Sequence, residues 1–226
     1  MSKQFLAIVA VIILVFVGIF ALSNHKSTTG NGSTSGLTNH VEGLGKDNVT
    51  LVEYGDYQCP YCGAAFSAVK QAQSEFNQQM TFQFRNFPLV SLHQNAFASA
   101  RAAEAAGLQN KYWEMHDILY EQNQVYYNSG QKIGTWINAS DPTTDFAQYA
   151  QQIGLNVAKF KTDYASSKVN DYINADMNQG TKLGVNSTPA FYLDGKPISF
   201  TSYTLSAFEK VINAELAKKT ASPAKS

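Results

Sequence analysis

The chain has 226 residues, 44% of them hydrophobic and 12% aromatic, with 17 basic and 17 acidic side chains and a formal net charge of zero. That composition excludes a disordered polymer and suits one large folded domain, or two small ones sharing a core. Neutral bulk charge gives no attraction for nucleic acid, and the 4 histidines are too scattered to announce a metal.

Residues 5–22 read FLAIVAVIILVFVGIFAL, an uncharged apolar run preceded by Lys3. As a helix it would extend about 27 Å, enough for the hydrocarbon core of a bilayer. That length favours a transmembrane anchor. The competing reading is a cleaved signal peptide, whose apolar region usually runs about 7–15 residues, with Ala21, Leu22 and Ser23 suited to cleavage. Either reading exports the rest of the chain, with Lys3 keeping the N-terminus in the cytoplasm. Residues 1–23 are therefore expected to be anchor or signal. Residues 24–40, rich in Gly, Ser, Thr and Asn, read as a flexible linker, and residues 219–226 as a disordered tail.

The folded part is expected to open with a strand over residues 49–54, VTLVEY. A helix follows, with Pro60 in its first turn and Phe66, Val69 and Phe76 at helical spacing through residue 79. Residues 80–87 alternate Met80, Phe82 and Phe84 against polar neighbours, which predicts a second strand parallel to the first. Helices are predicted at 95–106, ending at Gly107, and at 111–122, capped by Asn110. Residues 125–141 read as an irregular loop. Three further amphipathic segments carry Phe146 and Tyr149, then Phe160 and Tyr164, then Val169, Ile173 and Met177. The chain returns to β with a hairpin at 190–200 around Asp194-Gly195 and closes on a helix carrying Leu205, Phe208, Ile212 and Leu216.

Cys59 and Cys62 are the only cysteines. As a structural staple they would close a loop of about four residues, worth roughly 2 kcal/mol, which a domain of this size does not need. As a metal clip they lack two ligands, and His93 or His116 would have to be recruited. As a redox pair they sit between a predicted strand and a predicted helix, where free N–H groups and the helix dipole stabilise a thiolate. Cys62, one turn on, is placed to resolve a mixed disulfide formed at Cys59.

The stretch EYGDYQCPYC, with FRNFPL, KYWEMHDILYEQN and VNSTPAFYLDGK, resembles the DsbA family of thiol–disulfide oxidoreductases, and most closely its membrane-tethered, BdbD-like members. The resemblance covers roughly residues 41–216. It implies an α/β thioredoxin fold, in parts 41–90 and 184–218, interrupted by a helical subdomain over 91–183 and preceded here by the transmembrane helix. It implies Cys59 as nucleophile, Cys62 as resolving thiol, and Pro60 and Tyr61 as the pair that tunes the redox potential. Glu53 matches a buried acid that relays a proton beneath the disulfide; a strand-end acid facing solvent is the other reading. Thr188-Pro189 matches the loop whose cis proline faces the cysteines and receives the substrate chain.

The expected function is extracytoplasmic oxidation of cysteine-containing exported proteins, with no cofactor and no metal in the site. Re-oxidation would fall to a membrane partner. A reductase is the runner-up, because Pro-Tyr is shared with glutaredoxins and Tyr61 replaces the histidine of the strongest oxidants. A non-catalytic metal carrier or peptide-binding module is the alternative from another class.

Overall fold

The computed structural model describes residues 36–128 and 135–221. The expected anchor over 5–22 lies outside the described residues, and among those described no helix is long and apolar enough to cross a membrane.

Among the described residues five strands form one sheet: β1 (His40–Glu42), β2 (Val49–Gly55), β3 (Met80–Asn86), β4 (Ala190–Leu193) and β5 (Lys196–Ile198), in the order β1-β3-β2-β4-β5. β2 and β3 run parallel, joined by α1 (Pro60–Glu75), and the other pairs are antiparallel. Between β3 and β4 the chain inserts α2 (Ala96–Gly107), α3 (Tyr112–Asn128), a 3-10 turn (Trp136–Asn138), α4 (Thr143–Gln152), α5 (Val157–Tyr164) and α6 (Ser167–Lys182); α7 (Leu205–Ala221) follows β5. This is the β-α-β, helices, β-β-α order expected of a thioredoxin fold with a helical insertion.

The pleat of β2 sorts its side chains. Leu51 joins the main core with Phe82, Phe84, Phe191, Ala65 and Val69, together with Phe208 and Ile212 of α7. Tyr54 points to the other face, where it meets Phe87, Val185 and Tyr192, with Met177 of α6 packed alongside. Because side chains alternate along a strand, Glu53 shares the face of Leu51. That orientation places a carboxyl under α1.

Several expectations need correction. The linker was expected to reach residue 40, but the fold begins earlier. Thr38 is buried and donates through its backbone N–H and hydroxyl to Asp176, at 3.2 and 2.7 Å. The Arg85 guanidinium holds the same Asp176 carboxylate at 3.0 Å and also donates to the Thr38 carbonyl. His40 meets Glu104 at 2.9 Å. A three-residue strand with no hydrophobic pattern is thus pinned by partners distant in sequence.

The expected loop over 125–141 is helical as far as Asn128, and its Trp136 is fully buried against Phe146. Asn110 does not cap α3: its φ of 60° makes it the left-handed residue that stops the preceding turn. α1 ends at Glu75 rather than at residue 79, and α7 runs to Ala221, into the expected tail. At the β4–β5 hairpin, Asp194 and Gly195 both have positive φ, the geometry that a two-residue turn requires.

Candidate active site

Cys59 occupies the N-cap of α1 with extended backbone angles, and Pro60 fills the first helical position, where the missing N–H costs nothing. The first turn holds no acid and the Cys59 side chain makes no capping hydrogen bond. The donors that a serine or aspartate cap would satisfy are therefore left for sulfur. Both cysteines are free thiols, Cys59 being 3% exposed and Cys62 0%.

Their acidities diverge. The neighbouring Cys62 thiol, with the backbone N–H groups of Cys62 and Tyr61, brings Cys59 down to about 6 against the penalty of its burial. Burial pushes the Cys62 thiol well above its ordinary value, reinforced by its hydrogen bond to Cys59 and by the nearby negative charge of Cys59 and Glu53. One thiolate and one thiol at neutral pH is the division of labour that thiol–disulfide exchange requires.

Glu53 is 3% exposed. Burial, then the negative charge of Cys59, lifts its carboxyl to about 8, so it holds a proton at neutral pH. The solvent-facing reading does not apply. Opposite, the Thr188–Pro189 peptide bond is cis, and the Cys59 thiol donates to the Thr188 carbonyl at 3.3 Å. The Thr188 hydroxyl is buried without a hydrogen-bond partner among the described residues. Past Pro189, a cleft of about 290 Å³ runs between this loop and Phe200 and Tyr203.

α3 of the insertion fixes the turn from behind. The Asn123 amide donates to the carbonyls of Tyr57 and Cys59, at 2.8 and 3.1 Å. Gln124 donates to the Gly63 carbonyl at 2.8 Å, and the Tyr127 hydroxyl to that of Gln58 at 3.3 Å. α3 approaches so closely that a Cβ at Gly63 would lie 1.9 Å from Asn123 Oδ1. Inside a helix, Gly to Ala ordinarily gains up to about 1 kcal/mol. Here Gly63→Ala is expected to lose about 2 kcal/mol through overpacking, read as a lower urea midpoint at unchanged slope. A raised midpoint would contradict the close approach.

Residues 35–214 match the family model described as Thioredoxin. The chain belongs to the thioredoxin family. Among solved structures it is similar to a thioredoxin-like oxidoreductase from Silicibacter pomeroyi DSS-3, with 25% identity, a TM-score of 0.61, and coverage of 78% of this chain and 91% of that one. It also shares the fold of oxidised BdbD from Bacillus subtilis, at 21% identity and a TM-score of 0.66, covering 82% and 95%. The family and the cysteine pair together place the chain among the thiol–disulfide oxidoreductases, with the architecture of the DsbA branch. A curated relative, the Na(+)/H(+) antiporter NhaA 1 of Mycolicibacterium gilvum, is 32% identical over 160 residues, 70% of this chain. The match spans only 23% of that relative's length.

Within this thioredoxin-family site, all seven residues expected from sequence come to one place or its rim: Glu53 beneath, Cys59 and Cys62 at the helix start with Pro60 between, and Thr188-Pro189 opposite. Tyr61 is 67% exposed and projects outward, away from the role of a buried partner to sulfur. His93 and His116, weighed as metal ligands, have other partners: Asp56 at 2.7 Å and the Tyr57 hydroxyl at 3.1 Å. Sequence reasoning missed Asp56 and Asn123. Asp56 stood in the quoted motif, and its signal was the one charge in an otherwise uncharged strand-to-helix turn; Asn123 carried no local signal.

Proposed function

We propose that this chain is an extracytoplasmic, membrane-tethered oxidase that introduces disulfides into exported proteins. The observation that carries the reading is the acidity of Cys59, about 6, at the N-terminus of α1. A stabilised thiolate exists only in the reduced enzyme, so it favours reduction of the enzyme and makes the Cys59–Cys62 disulfide oxidising.

In the reaction, a substrate thiolate attacks Cys59 Sγ. The Cys59–Cys62 bond breaks, and Cys62 leaves with the electron pair and takes a proton from the Glu53 carboxyl. A second substrate thiolate then attacks the substrate sulfur of the mixed disulfide and expels Cys59 as a thiolate, the better leaving group of the two. The substrate gives two electrons to the enzyme as its own disulfide forms; the enzyme ends with Cys59 as thiolate and Cys62 as thiol, and Glu53 recovers its proton from water. Pro60 and Tyr61 tune this balance, and the Thr188-Pro189 loop offers its backbone to an extended substrate. Re-oxidation needs an acceptor, proposed as a quinone-linked membrane protein. No metal or other cofactor enters the step.

The tether rests on residues 5–22 and Lys3. It predicts that a membrane-impermeant thiol reagent labels the protein in intact, reduced cells; protection from the reagent would place the domain on the other side. Because the chain spans about a quarter of the antiporter relatives, their transport activity is not carried over.

The direct test mixes the oxidised domain with a reduced, unfolded disulfide protein at pH 7. One disulfide per enzyme should transfer within seconds. Slow transfer, with ready reduction of the substrate's disulfides by the reduced enzyme, would favour the reductase.

A further inference from the structure

We infer that His93 is a positioning residue that acts through Asp56 to set the strength of the Cys59 thiolate, so that its proton is linked to the redox state of the cysteine pair. The inference rests on the reading of Cys59 as the reactive thiol, and it holds for either direction of catalysis.

Asp56 is 2% exposed and lies three residues before Cys59. Its Oδ1 accepts from the Gln58 N–H at 2.8 Å; its Oδ2 accepts from the Leu89 N–H at 2.9 Å and from His93 Nδ1 at 2.7 Å. Its backbone carbonyl accepts from the Cys59 N–H at 3.0 Å. One residue therefore anchors both the turn that presents Cys59 and the loop between β3 and α2. Gln58 stitches the same two segments, accepting from Asn95 N–H at 2.7 Å, and also donates to the Ile137 carbonyl of the 3-10 turn at 2.7 Å.

A buried carboxylate beside the turn opposes a second negative charge on sulfur unless a cation neutralises it. The His93 imidazole, when protonated, is that cation. Its hydrogen bond to Asp56 raises its pKa, with the charges of Asp56 and Cys59 adding to the effect against the penalty of burial. The titratable groups facing the ring are Asp56 and the Cys59 sulfur. The His93 side chain keeps 16% of its surface exposed, so its proton can exchange with solvent. With Tyr61 turned outward, His93 acts on the thiolate only by cancelling the negative charge of Asp56 beside it.

Linkage makes the effect reciprocal. If protonated His93 lowers the Cys59 pKa, the Cys59 thiolate must raise the His93 pKa by the same amount, and formation of the disulfide must remove that rise.

Two measurements test this. First, the His93 ring is titrated by NMR in the oxidised and the reduced protein. Its pKa should be higher in the reduced form by about half a unit or more. Identical titrations would overturn the proposal and leave His93 as a loop anchor only. Second, His93→Gln retains a donor for Asp56 without the charge. The Cys59 thiolate, followed by ultraviolet absorbance, should then titrate higher by a matching shift. The equilibrium with glutathione should move about threefold to tenfold toward the enzyme disulfide, at most roughly 30 mV. An unchanged Cys59 titration in a folded variant would also overturn the proposal. A wild-type Cys59 with an ordinary thiol pKa would instead defeat the reading of the site beneath it.

Discussion

Replacing Cys62 with serine is expected to convert the protein into a trap. With glutathione disulfide or a disulfide-containing peptide, Cys59 attacks and forms a mixed disulfide, and no second thiol remains to release it. At pH 7 a thiol with a pKa of about 6 is ionised roughly ten to one, so capture should be complete within minutes. Cys59→Ser leaves a thiol that is fully buried and held well above its ordinary pKa. It should accumulate adducts at least about a hundredfold more slowly, since the thiolate is the nucleophile. Intact-mass measurement at pH 7 reads both results. Adducts forming readily on Cys62 would reverse the assignment of the two cysteines.

Glu53→Gln should make the protein more stable and slower. The folded carboxyl titrates at about 8, above its unfolded value. As pH rises from about 4.5 toward 8, the unfolded chain gains free energy by ionising Glu53 while the folded protein stays protonated, so wild-type stability falls over that window. Glutamine does not titrate. Its advantage is therefore near zero at pH 4, about 3 kcal/mol at pH 7, and levels off at about 4 to 5 kcal/mol above about pH 8. Exchange should slow by about tenfold or more below pH 8, because the departing Cys62 loses its proton donor. The two enzymes should converge once Glu53 itself is ionised. Urea midpoints and stopped-flow rates from pH 4 to 9 check both halves. Equal stability at pH 7 would mean that Glu53 does not carry a buried proton.

Much of this site was legible because its signals are local. A β-branched run, two cysteines with Pro60 between them, and an alternating stretch at 80–87 land on β2, the start of α1 and β3. Burial of Glu53 follows from parity with Leu51 along β2. Residues whose roles come from distant partners were not legible. His40–Glu42 is a strand because β3 and Glu104 hold it, not because of its own pattern. Trp136 is core although polar residues and glycines surround it in sequence. Asn123 and His93 look ordinary in their segments, and only the fold brings them to the carbonyls of the turn and to Asp56. The cis bond before Pro189 was expected from resemblance alone, since an X–Pro dipeptide does not specify it.

The central claim is that a helix N-terminus and its surroundings stabilise the Cys59 thiolate strongly enough to make the disulfide oxidising. The reduction potential of the purified domain, equilibrated in glutathione buffers with the thiolate titrated alongside, tests it most directly. A potential between about −120 and −200 mV is predicted, on the oxidising side of glutaredoxins, together with a Cys59 pKa of about 6. A potential near −270 mV with a thiolate pKa near 7, values of the thioredoxin kind, would contradict the oxidase and leave a reductase in its place.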